Sequence, residues 1–133
     1  MLSRLTALLL AVPLEAQVSP IAGSGCGAPT TTVLFTPSLG QTIQITNPFL
    51  CFLGQAIAAI GVAAPLLPWS GCQAQPCAIA LQPTAVQFGT GYVTLSLAIP
   101  ANPVLLGFCF RAQTGCLHAA CFDVDRAVQS CVQ

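Results

Sequence analysis

Tyr92-Val93-Thr94-Leu95-Ser96-Leu97-Ala98-Ile99 alternates large apolar with small residues without a break. Val93, Leu95, Leu97 and Ile99 point one way, and Thr94, Ser96 and Ala98 the other. That period of two is the mark of a strand buried on one face. The pattern recurs on both sides. Thr42-Ile43-Gln44-Ile45-Thr46 alternates with its isoleucines on one face, and Cys77, Ile79 and Leu81 share a face across Ala78 and Ala80. A further strand is predicted from Val104 to Ala112, with Leu106, Phe108 and Phe110 inward. Between these runs lie Pro37-Ser38-Leu39-Gly40, Asn47-Pro48, Pro68 to Gly71, Gly89-Thr90-Gly91 and Pro100-Ala101-Asn102-Pro103, all turn-forming clusters. Short strands with regular punctuation predict an all-β fold, an antiparallel β-sandwich of Greek-key or jelly-roll type.

One stretch resists this reading. Phe49 to Leu67 is apolar and alanine-rich with no clean period. A buried strand ending in a loop is the first expectation and a buried helix the second, since alanine favours helix. A bilayer span is disfavoured by Gly54, Gln55, Gly61 and Pro65, and by the absence of flanking Lys or Arg anchors.

The N-terminus reads as a signal peptide over residues 1–16. Arg4 supplies the positive region, Leu5 to Leu14 the apolar region, and Leu14-Glu15-Ala16 the small residue at the cut. Residues 17–31, rich in Gly, Ser, Pro and Thr, form an extended lead-in, and residues 32–133 a single domain with a Cys-rich C-terminal hairpin. With eight cysteines in 133 residues, export implies a disulfide-stapled fold, secreted or at the cell surface.

Beyond residue 16 the only charges are Arg111, Asp123, Asp125 and Arg126. No basic stripe exists to displace counterions, which excludes nucleic acid as a partner. A neutral surface without lysine also has little protection against association with its own copies.

Gly23-Ser24-Gly25-Cys26, Pro37-Ser38-Leu39-Gly40, Ser70-Gly71-Cys72, Leu97-Ala98-Ile99-Pro100 through Leu105-Leu106-Gly107, and Phe110-Arg111-Ala112-Gln113 occur in that order. As a series, over Gly23 to Gln113, they resemble small exported β-sandwich modules of planctomycete-type bacteria. That family has no established catalytic residues. The chain departs from it in six additional cysteines and in a cysteine-rich tail after Gln113. The resemblance implies the fold, export, and a bridge from Cys26 to Cys72.

The remaining cysteines are Cys51, Cys77, Cys109, Cys116, Cys121 and Cys131, and spacing alone selects no connectivity. A hairpin of Leu106–Ala112 with Leu117–Val124, turning at Thr114-Gly115-Cys116, would set Cys109 opposite Cys121 on the outer face. Cys-x4-Cys at Cys72/Cys77 and at Cys116/Cys121 could be scored as a four-thiolate zinc site, but the spacing is common by chance in a cysteine-dense chain and export favours bridges. No metal or cofactor is expected. Hydrophobins and plant lipid-transfer proteins share the eight-cysteine count, yet both depend on adjacent Cys-Cys pairs, which this chain lacks.

His118 is the only histidine. A triad would need it with Asp123 or Asp125, and no Gly-x-Ser-x-Gly elbow accompanies it. Two carboxylates at i and i+2 suit neither a glycosidase pair nor a calcium site; a local exchange with Arg111 and Arg126 is expected instead. Proline follows both Asn47 and Asn102, so neither is a glycosylation site. Trp69 and Tyr92 are the polar-tipped aromatics able to face a polysaccharide if they lie side by side. The sequence therefore predicts a non-catalytic structural or adhesive module in contact with like copies or cell-wall and surface material. A binding module for a small apolar ligand or polysaccharide is the alternative, and a hydrolase the third reading.

Overall fold

The computed structural model describes residues 18–27 and 29–133; the expected signal peptide lies outside them. The strands are β1 (Val18–Pro20), β2 (Thr32–Leu34), β3 (Thr42–Thr46), β4 (Gln55–Ser70), β5 (Pro76–Thr90), β6 (Thr94–Ala98), β7 (Cys109–Leu117), β8 (Phe122–Val124) and β9 (Val128–Cys131). They form two antiparallel sheets. The larger runs β1-β9-β7-β4-β5, with β8 also paired to β7, and the smaller runs β2-β3-β6. The lead-in thus supplies a strand of its own, β1, on β9.

The core lies between the sheets and follows from the alternation. Ile43 and Ile45 of β3 are fully buried, and they pair in register with Leu97 and Leu95 of β6. Facing them are Ala56, Ala58 and Ile60 of β4, Phe110 and Ala112 of β7, and Val128 of β9. The opposite face of the larger sheet is covered by its own longest hairpin. β4 loses register with β5 between Ile60 and Gly61 and again between Ala63 and Leu67. Beyond those breaks the distal part of the hairpin lies against β7 and β8, with Trp69 stacked on Phe122. A side chain at Gly61 would collide with the Gln82 carbonyl oxygen, so the first break requires glycine.

Four expectations are corrected. The stretch 49–67 is neither a helix nor a strand that ends in a loop. A loop comes first, and the strand then runs to Ser70 through Pro65 and Pro68, with the turn at residues 71–75. Pro65 falls in the register break, where no ladder bond needs its missing N–H. Likewise the strand that holds the Cys77, Ile79 and Leu81 alternation, β5, continues through Pro83 to Thr90.

The predicted strand from Val104 begins only at Cys109. Pro103–Leu105 is a 3₁₀ turn, capped by Asn102 accepting from the Val104 N–H, and Gly107 follows with φ 82°. Leu106 and Phe108 are consequently half exposed, and only Phe110 points inward. Finally, β7 passes straight through Thr114-Gly115-Cys116, held between β4 on one side and β8 and β9 on the other. The reversal comes at 118–121, where the His118 N–H donates to the Cys121 carbonyl. Cys109 therefore lies opposite Cys131, not Cys121.

Candidate functional site

All eight cysteines are bridged, as Cys26–Cys77, Cys51–Cys116, Cys72–Cys121 and Cys109–Cys131. Cys26 thus pairs five positions beyond the Cys72 that the resemblance implies. Its backbone is brought there by Gly25, which exchanges hydrogen bonds with Ala78 in both directions. Cys72, in the turn at the end of the hairpin, reaches Cys121 instead.

The bridge Cys51–Cys116 anchors the loop between β3 and β4, residues 47–54. Asn47, almost fully buried, holds this loop from below. Its amide nitrogen donates to the carbonyls of Phe49 (2.6 Å) and Gly91 (3.1 Å), and its oxygen accepts from the Val93 N–H at 3.0 Å. The Cys51 N–H donates to the Gly91 carbonyl, and the Gly91 N–H to that of Gly54. With its polar atoms tied inward, the loop turns Phe49, Leu50, Phe52 and Leu53 outward, with fractional exposures of 69, 51, 70 and 87%. Leu53 sits at φ 56°, a left-handed conformation that is uncommon for any residue but glycine and disfavoured for a leucine. Tyr92 and Leu117 add exposed apolar surface alongside. Leu50, Phe52, Leu53, Leu117 and His118 border a depression of about 690 Å³ at this end, lined by no charged residue.

The other residues singled out by sequence fall elsewhere. Trp69 is half buried, with its ring 5.6 Å from that of Phe122 and its Nε1–H donating to the Phe122 carbonyl. It pairs with Cys77 at one end of the β4–β5 hairpin, whereas Tyr92 follows the end where Thr90 pairs with Gln55. The two aromatics share no face, so the flat platform that a polysaccharide would need is absent from this pair. Tyr92, exposed, directly follows Gly91, which lines the tip depression.

His118 Nε2 lies 3.2 Å from Cys116 Sγ, a sulfur already bridged. The carboxylates are occupied. Asp123 accepts from the Cys72 N–H at 2.7 Å and from Gln75, and Asp125 accepts from the Thr114 hydroxyl at 2.6 Å. Burial raises the Asp125 pKa to about 6, opposed by the Thr114 hydrogen bond and helped by the nearby Asp123 charge. The expected exchange with arginines does not form through Arg111, which donates to Gln129 and to the carbonyls of Ala64 and Ala80. Among the described residues two clusters bring ligand-type atoms together, Cys51/Cys116/His118 and Cys26/Cys77/Asp123. In each, the two sulfurs are bonded to one another and offer no thiolate. The Cys-x4-Cys pairs are likewise divided among three different bridges.

A second apolar feature opens between the sheets. A cleft of about 320 Å³ is bordered by Ile60, Leu97, Ile99, Leu105, Phe108 and Phe110, with Thr84 its one polar side chain. The Thr84 hydroxyl donates to the Ile60 carbonyl.

No protein-family model, curated protein or solved structure matches this chain. Its site is therefore defined by geometry alone. The sequence offered a signal for the tip, because Phe49-Leu50 and Phe52-Leu53 flank a cysteine between Pro48 and Gly54. Within the apolar run 49–67 it merges with the strand that follows.

Proposed function

We propose that this protein is an exported, non-catalytic adhesive module, working at or beyond the cell surface in contact with like copies or with wall and surface material. The observation that carries this reading is the loop 47–54, which holds four large apolar side chains in solvent. Leu50, Phe52 and Leu53 surround a depression lined by no charged residue, and Asp123 and Asp125 lie on the other side of Phe49 and Phe52. Four disulfides are consistent with an extracellular setting, and among the described residues no helix is long and apolar enough to cross a membrane. Complete burial of one Phe or Leu side chain contributes about 1.5–3 kcal/mol. Four partly exposed ones, covered together, supply several kcal/mol, and a loop already fixed by a bridge and buried hydrogen bonds loses little freedom on contact.

Retention of the oxidised protein on cell-wall material and on an uncharged apolar resin tests the reading. Phe52→Ser with Leu53→Ser should weaken retention at least tenfold while the melting temperature stays near wild type. Undiminished retention would remove the tip from the function.

The inter-sheet cleft favours a second reading, a binding module for a small uncharged apolar ligand. Its volume falls at the lower end of the range for ligand pockets. A linear hydrocarbon probe that raises the melting temperature, with Phe108→Asp abolishing the rise, would bring this reading forward.

A further inference from the structure

The long hairpin leaves one sheet edge unlike the others. The sheets end at β1, β2, β5 and β6, and of these β1 and β2 have three residues each, β6 five and β5 fifteen. The first part of β5 is already engaged on its outer side. Gly25 bonds Ala78 in both directions, and the Gln113 amide holds the Ala78 carbonyl and the Ala80 N–H. From Gln82 to Phe88 every residue is exposed, and among the described residues no strand pairs with β5 beyond β4.

Natural edges are usually blunted by charge, proline, bulges or shortness. Pro83 and the bulge at Thr84 limit this one at its start. From Thr84 to Thr90 there is neither a proline nor a charge, and Val86 and Phe88 present apolar surface. Such a strand is complementary to itself. Run antiparallel against its own copy, it opposes no like charges, and one patch serves both partners of a closed twofold dimer.

We propose that two copies join through the outer edge of β5, antiparallel about a twofold axis near Val86, merging their larger sheets into one. Val86 and Phe88 share a face, that of Ala59 and Ile57 on β4, whereas Thr84 is the extra residue of the bulge and borders the inter-sheet cleft. The axis sets Val86 against its own copy and Ala85 against Gln87 of the second molecule, with the β-branched pair at the centre of the kind that stabilises sheets. The association closes at two, because the far edge of the same sheet is the three-residue β1, which contains Pro20. This rests on the reading that the module works in contact with like copies, and it names the surface.

The test is sedimentation velocity on the oxidised full domain over a concentration series, with wild type, Val86→Lys, Val86→Glu, an equimolar mixture of those two, and Phe52→Ser. The expected result is a wild-type dimer, at least tenfold weaker association for each charged variant alone, and recovery of a dimer in the mixture. Phe52→Ser should associate as wild type does. Association unchanged in both charged variants, a mixture that stays monomeric, or a wild type monomeric throughout would each overturn the proposal. Tip-dependent retention on surface material in a monomeric wild type would leave the adhesive reading standing without this interface. Loss of both retention and association would remove the two together.

Discussion

Arg111 Nη1 donates to the carbonyl oxygen of Ala80 at 2.6 Å and to that of Ala64 at 3.3 Å, from a position in β7 that pairs with Gly61 and Gln129. The register break between Ala63 and Leu67 leaves these carbonyls outside the regular ladder, and a planar guanidinium with several donors fills the gap. The neighbouring Gln113, buried, donates to the carbonyls of Ala78 and Asp125 and accepts from the Ala80 N–H. Together they fix the folded-back part of the hairpin, on whose root both the tip loop and the β5 edge depend.

Arg111→Met keeps most of the aliphatic stem and removes every donor. It should destabilise the fold by about 2–3 kcal/mol, the cost of hydrogen bonds to a charged group lost from half-buried acceptors. Arg111→Lys should recover part of this. Denaturant midpoints measured at unchanged m-value check both. A change below about 0.5 kcal/mol for the methionine variant would mean that water replaces the guanidinium at no loss.

Asp125 makes stability depend on pH in the direction opposite to a salt-bridged carboxylate. Its pKa in the folded protein, about 6, lies above the ordinary 3.8 because burial disfavours the charge. Between these values the folded state holds more protons than the unfolded one, so stability falls as pH rises. The contribution is complete below about pH 4 and lost as pH passes 6. Asp125→Asn should flatten that slope and raise stability at pH 7 by about 1–2 kcal/mol, less than the full shift implies because the group is only partly buried. Thermal melts from pH 4 to 7.5 measure it.

Non-reducing peptide maps should give Cys26–Cys77, Cys51–Cys116, Cys72–Cys121 and Cys109–Cys131, and full reduction should add one hydrogen mass per thiol. By loop-closure entropy the bridge spanning 65 positions, Cys51–Cys116, is worth about 4 kcal/mol and that spanning 22, Cys109–Cys131, about 3 kcal/mol. Paired Cys→Ala variants should follow this order. Removing Cys51–Cys116 should also weaken retention on surface material, because the same bridge fixes the tip loop.

Sequence periodicity located strands where one face is core and the other solvent, as at Val93 to Ile99 and at Ile43 and Ile45. It failed where that contrast disappears. Leu106 and Phe108 continue the alternation of Phe110 in sequence, but Asn102 and Pro103 wind the chain into a turn that carries them out to solvent. Both faces of β4 are covered, one by the small sheet and the other by its own hairpin, so Ala56 to Ile60 shows no clean period of two. Parity set Cys109 opposite Cys121, and the structure sets it opposite Cys131. The partner changed because a central strand does not turn at Gly115 when β4 and β8 flank it. Bridges depend on which strands become neighbours, and local pattern does not contain that information.

Leu53 separates adhesion from folding. A leucine at φ 56° costs about 1 kcal/mol relative to a residue without a Cβ, and the gain on relieving it is partly offset by the greater freedom of glycine in the unfolded chain. Leu53→Gly should therefore leave the protein as stable as wild type, or up to about 1 kcal/mol more so. A side chain that is 87% exposed contributes almost nothing to the fold by its own contacts. Were the strained conformation only an accident of the loop, its relief would have no consequence elsewhere. If instead the conformation displays the side chain for contact, Leu53→Gly should weaken retention on apolar resin and on wall material severalfold while the melting temperature holds or rises. Leu53→Asn tolerates the same backbone but presents an amide, and it should reproduce the loss. Retention unchanged in both variants would move the adhesive surface away from this loop.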